Sequence, residues 1–171
     1  MGGPTAWVTI EFPVAAIDEE IKGLLEDLYV KFDGLTPIEN GRNEEPGTEI
    51  EDGIFNLHDS DVNDGEFPVL EAKLKEKGIP FDRQTGMDWG ISPCTRIYRP
   101  GPPEFDHYYP QDDDGEMVVS VEKIWELLAT KSRFRGGSDA EAAANAIFKY
   151  LDAHFPLYPP LSDYVKEASN G

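Results

Sequence analysis

A chain of 171 residues, 39% of them hydrophobic, is long enough to bury roughly two thirds of its unfolded surface around a single core. Its net charge of -19, from 34 acids and 15 bases, repels nucleic-acid phosphates and anionic lipid, so no direct binding to DNA, RNA or a membrane is expected. Cationic protein surfaces are attracted instead, over a Debye length of about 8 Å at physiological salt.

Trp7 to Phe12 alternates among β-formers and predicts a strand ended by Pro13. Ile17, Ile21, Leu24, Leu25, Leu28, Tyr29 and Phe32 then mark the apolar stripe of a helix, with Asp18, Glu19 and Glu20 at the favourable end of its dipole and Gly34 as its stop. Residues 35 to 53 are dominated by turn formers and acids and are expected as an acidic loop, or a loop with a short irregular strand, carrying Glu44, Glu45, Glu49, Glu51 and Asp52. Ile54 to His58 reads as a strand running into a polar turn, Asp59 to Gly65. Phe67, Leu70 and Leu74 recur at helical spacing, with Asp64 as cap, Pro68 in the first turn and Gly78 in the left-handed position after the last. Ile79 to Phe81 and Cys94 to Arg99 follow as strands.

The stretch from 66 to 100 is nearly neutral, with 5 acids and 6 bases, against 16 and 3 before it and 13 and 6 after it. Beyond it, Phe105 to Gly115 is an aromatic and acidic loop or short hairpin arm containing Tyr108, Tyr109, Asp112, Asp113 and Asp114, with Glu116 next. Met117 to Val119 reads as a short strand, and Ser120 caps a helix bearing Val121, Ile124, Trp125 and Leu128. A further helix carries Ala143, Ala144, Ile147, Phe148 and Leu151, and Leu161 to Ala168 forms a last short one. The order predicts a single α+β domain over residues 1 to 171: a mixed or antiparallel sheet of about five strands, packed by about four helices largely on one face.

Asp59, Asp61 and Asn63 match the first ligands of a calcium loop, but the required glycine and final glutamate fall one residue late, at Gly65 and Glu71, so a polar turn is the better account. His58, His107 and His154 show no ligand spacing, and no phosphate loop, nucleophile elbow or zinc-protease motif is present. Neither a cofactor nor a metal is expected. The single Cys94 leaves no internal disulfide, and with no ~20-residue apolar run or secretion signal a cytoplasmic location is expected. Arg83, Arg96 and Arg99, near Tyr98 and Trp89, are candidates to hold a carboxylate or phosphate; pairing with the protein's own acids is the preferred reading. Tyr108 and Tyr109, beside acids, are of the type that anchors interfaces or closes the end of a sheet.

The runs GIPFDRQTG and CTRIYRPG resemble a pattern in uncharacterised small acidic proteins of plasmids and prophages. In composition the chain resembles the acidic inhibitors that mobile elements direct against host restriction or CRISPR systems, several of which mimic the charge of DNA. That resemblance implies a non-catalytic inhibitor that occupies a cationic, nucleic-acid-binding surface of a host defence protein. Its partner-binding candidates are Glu44, Glu45, Glu49, Glu51, Asp52, Asp112, Asp113, Asp114, Glu116, Tyr108 and Tyr109. The alternatives are an immunity protein that neutralises a cationic toxin, and a small enzyme or ligand-binding domain using Arg83, Arg96, Arg99 and a histidine.

Overall fold

The alternation in Trp7 to Phe12 becomes the spine of the molecule. The computed structural model describes residues 4–41, 46–86, 90–112, 116–131 and 138–168. In it, strand β1 (Thr5–Pro13) buries Ala6, Val8, Ile10 and Phe12 on one face of a sheet and turns Trp7, Thr9 and Glu11 to the other. Two short strands, β2 (Phe32–Asp33) and β3 (Thr36–Pro37), pair only with each other. The remaining five are β4 (Gly47–Glu51), β5 (Ile54–Asn63), β6 (Phe81–Thr85), β7 (Cys94–Arg99) and β8 (Phe105–Pro110). With β1 they form an antiparallel sheet in the order β4-β5-β1-β6-β7-β8.

Helices α1 (Glu19–Asp27) and α2 (Pro68–Glu76) cover the first face, where Ile21, Leu25, Leu70 and Leu74 meet Val8, Ile10, Phe12, Phe55, Leu57 and Phe81. The two helices run in opposite directions: Lys73 and Lys77 at the end of α2 pair with Glu20 at the start of α1, and Lys77 also with Asp18. Helices α3 (Val121–Lys131) and α4 (Ser138–His154) pack on one another. The chain then crosses the second face and ends in α5 (Leu161–Ala168), so the helices are divided between both faces. Ile97 and Tyr109 are the reason. They leave an apolar area on that face, and the rings of Phe155 and Tyr158 pack against Tyr109 there.

Several local expectations are corrected. The acidic stretch 35 to 53 holds β3 and β4, because residues 38 to 41 fold along the outer edge of β4: Thr48 N donates to Asn40 Oδ1 at 2.7 Å and Ile50 N to Glu39 Oε1 at 2.8 Å. Strand β5 runs on to Asn63, since a bulge opposite Ala6 and Val8 lets both Leu57 and Val62 reach the core. Phe105 to Pro110 is a full strand held by six pairs to β7, while Met117 makes only an isolated bridge to Gln111. Helix α1 stops at Asp27, not at Gly34, which instead turns the β2-β3 hairpin. Asp64 does not cap α2; its backbone is left-handed at φ 57°, and Phe67 occupies the cap position.

Candidate functional site

The three central arginines are consumed inside the protein. Glu71 of α2 is 1% exposed; its Oε1 accepts from the Phe67 N–H at 3.0 Å, and its Oε2 lies 2.6 Å from Arg96 Nη1. Arg83, also 1% exposed, faces Glu71 Oε1 through its Nε at 3.0 Å without hydrogen-bond alignment. Its outer nitrogens donate to the Gly65 carbonyl at 2.5 Å, to the Thr85 hydroxyl, and to Glu66 at 3.1 Å. Arg96 clamps Asp106 with two bonds of 2.9 and 2.8 Å, and Lys75 reaches the same carboxylate at 2.6 Å. The Arg96 bonds, then Lys75, hold the Asp106 carboxyl down to about 2 against the opposing effect of burial. On the other face Arg99 grips Asp82 with two bonds and donates to the Pro159 carbonyl at 2.8 Å, which fastens the C-terminal segment to the sheet.

The residues singled out from sequence are scattered over this frame. Glu49, Glu51 and Asp52 lie on β4 and its hairpin to β5. Asp112 and Glu116 close a small loop beyond β8, where Glu116 N donates to Asp112 Oδ1 at 2.9 Å. The two groups occupy opposite edges of the sheet, five inter-strand steps of about 4.8 Å apart, and are not brought together. Glu44, Glu45, Trp89, Asp113 and Asp114 lie outside the described residues. Tyr108 is half exposed over Arg83 and Arg96, with centroid distances of 5.8 and 5.0 Å. Tyr109 is corrected to an interior residue: it is 1% exposed, its hydroxyl donates to the Pro156 carbonyl at 2.9 Å, and burial pushes its phenol up to about 12.

His58 Nδ1 sits 3.2 Å from the Thr9 hydroxyl and its ring lies near Trp7, while His107 Nε2 meets the His154 carbonyl at 2.8 Å. Asp59, Asp61 and Asn63 lie on β5, and no cluster of three metal-binding side chains occurs among the described residues.

What the sequence did not reveal is a groove at the end of the α1-α2 pair away from the lysines. It has a volume of about 800 Å³ and lies between the end of α1, the end of β5 and the start of α2. Leu24, Leu28, Val62, Phe67 and Val69 supply apolar surface; Asp27, Asp59, Asp61, Asp64 and Glu66 supply five carboxylates, and no base among the described residues lines it. Glu66 is tied to Arg83 from behind, and Asp59 Oδ1 accepts from the Asp61 N–H at 3.0 Å. Asp27, Asp61 and Asp64 form no ion pair with any described residue.

Two features at the rim work against local stability. Asp27 is an acid in the last turn of α1, where the helix dipole disfavours negative charge, and no base stands there to offset it. Tyr29 then holds the left-handed position of a Schellman ending at φ 65°, with Tyr29 N bonded to the Glu26 carbonyl and Val30 N to the Leu25 carbonyl. Glycine is the usual occupant there, yet Tyr29 is 82% exposed and lines the groove. The left-handed position of Tyr29 had no mark in the sequence, where the residue continues the apolar stripe of α1. The chain matches no family model, no curated protein and no solved structure.

Proposed function

We propose that this chain is a non-catalytic acidic protein that binds a cationic, nucleic-acid-binding surface on another protein, as an inhibitor of a host defence protein would. The observation that supports the reading is the groove beside Tyr29, where Asp27, Asp61 and Asp64 form no ion pair with any described residue while Lys73, Lys75 and Lys77 are paired elsewhere. Carboxylates held on a folded frame satisfy the lysines and arginines that otherwise meet DNA, which presents one negative charge per ~1.7 Å of its axis. Arg83, Arg96 and Arg99, which the enzyme or ligand-binding reading would use with a histidine, already pair with Glu71, Asp106 and Asp82, and this supports the non-catalytic reading.

The test is affinity capture from a host lysate at low and high salt, with bait carrying Asp27→Asn, Asp61→Asn and Asp64→Asn as the control. The expected result is a DNA-binding protein retained at low salt, released by added duplex DNA, and captured at least tenfold less by the control. Identical retention by both baits would contradict the proposal. Retention of a toxin encoded beside this gene would favour the immunity reading.

A further inference from the structure

We infer that the groove between α1, β5 and α2 docks a segment of the partner in which one bulky apolar side chain is flanked by lysines or arginines, and that Tyr29 is the residue that grips it. The inference rests on the functional reading above and adds the chemistry of the segment recognised.

A surface that only mimicked the charge of DNA would need carboxylates and no cavity. This site has both. Leu24, Leu28, Val62, Phe67 and Val69 line a solvent-open groove of about 800 Å³, room for a bulky side chain beside the carboxylates. An apolar side chain entering there is desolvated, and its basic neighbours then come level with Asp27, Asp61 and Asp64. Tyrosine is among the residues that carry most binding energy at interfaces, since its large ring loses little rotamer freedom and its face attracts a cation. Holding such a ring in a left-handed backbone costs folding stability, and exposed positions under strain of this kind cluster at binding sites. A second copy of the chain does not suit the groove, because two bodies of net charge -19 repel.

Two 12-residue peptides of equal charge decide the matter. One carries phenylalanine and leucine between its lysines; the other has serine at those positions. Each is titrated into the isotope-labelled full chain, with amide shifts and heats of binding as readouts. The apolar peptide is expected to bind at least tenfold more tightly, with shift changes concentrated at residues 24–29 and 59–70. Tyr29→Phe should retain most of that binding, whereas Tyr29→Ala should lose about tenfold. Tyr29→Gly, which suits the left-handed backbone, should lose as much as Tyr29→Ala and so separates lost grip from altered folding. Equal binding of both peptides, or shifts centred elsewhere, overturns the groove assignment and leaves the charge-based reading standing. Failure of both peptides at low salt counts against both.

Discussion

Tyr29 is where a residue's cost and its use separate most clearly. A non-glycine residue in the left-handed region costs roughly 1–2 kcal/mol, partly offset because glycine loses more backbone freedom on folding, by roughly 0.5–1 kcal/mol. Tyr29→Gly is therefore expected to raise stability by up to about 1 kcal/mol in a denaturant titration while weakening cationic-peptide binding. A fall in stability would mean that the ring packs for the fold's sake. Asp106 behaves in the opposite sense. Its carboxyl pKa is lowered to about 2 in the folded chain, against about 3.9 unfolded, so its contribution is complete above pH 4 and is lost as pH falls towards 2. Asp106→Asn should accordingly cost roughly 1–2 kcal/mol at pH 6, the two proteins converging near pH 2 in parallel denaturant midpoints. A constant difference down to pH 2 would exclude the ionised clamp as its source.

Among the elements, α2 depends most on the buried charge. Glu71→Ala takes from the buried Arg83 its one buried carboxylate, leaving the half-exposed Glu66 as counter-charge, and is expected to cost about 3 kcal/mol, the low end of the range for breaking a buried pair from one side. Arg99→Ala should instead free the segment from Pro156 to Leu161 from the second face, seen as new proteolytic cleavage there, with peptide binding at the distant groove unchanged. Cleavage confined to other regions would contradict that role. The helix from Pro68 and its stop at Gly78 were legible in the sequence because spacing and punctuation are local. The pairing of Glu71 with Arg83 and Arg96 was expected only in kind, since which acid meets which arginine depends on the register of β6 against β7. Tyr29 was misread as continuing the stripe of α1 because a period-3.6 pattern carries no mark of the residue at which the backbone reverses. For Tyr109 the sequence left an interface anchor and closure of the sheet both open, because the cover that makes it interior arrives from a distant part of the chain.

For the whole molecule, the distribution of charge matters more than its total. Lysines at one end of the α1-α2 layer are neutralised by Asp18, Glu20 and Glu76, while Asp27, Asp61 and Asp64 at the other end form no ion pair with any described residue. The excess of acid was legible in the sequence, but its concentration beside an apolar groove was not, because Asp27 and Asp61 line one groove only in the folded chain. No helix among the described residues is long and apolar enough to cross a membrane. Competition on a partner recovered by capture tests the central claim most directly. A labelled duplex is bound to the partner at physiological salt and the acidic protein is added. The account predicts that the intact chain displaces the duplex. The variant with Asp27, Asp61 and Asp64 changed to asparagine should need at least tenfold more protein, chiefly through slower association, with a shallower dependence on salt and no loss of folding stability. A stable ternary complex of partner, duplex and acidic protein, or equal displacement by the variant, would contradict it.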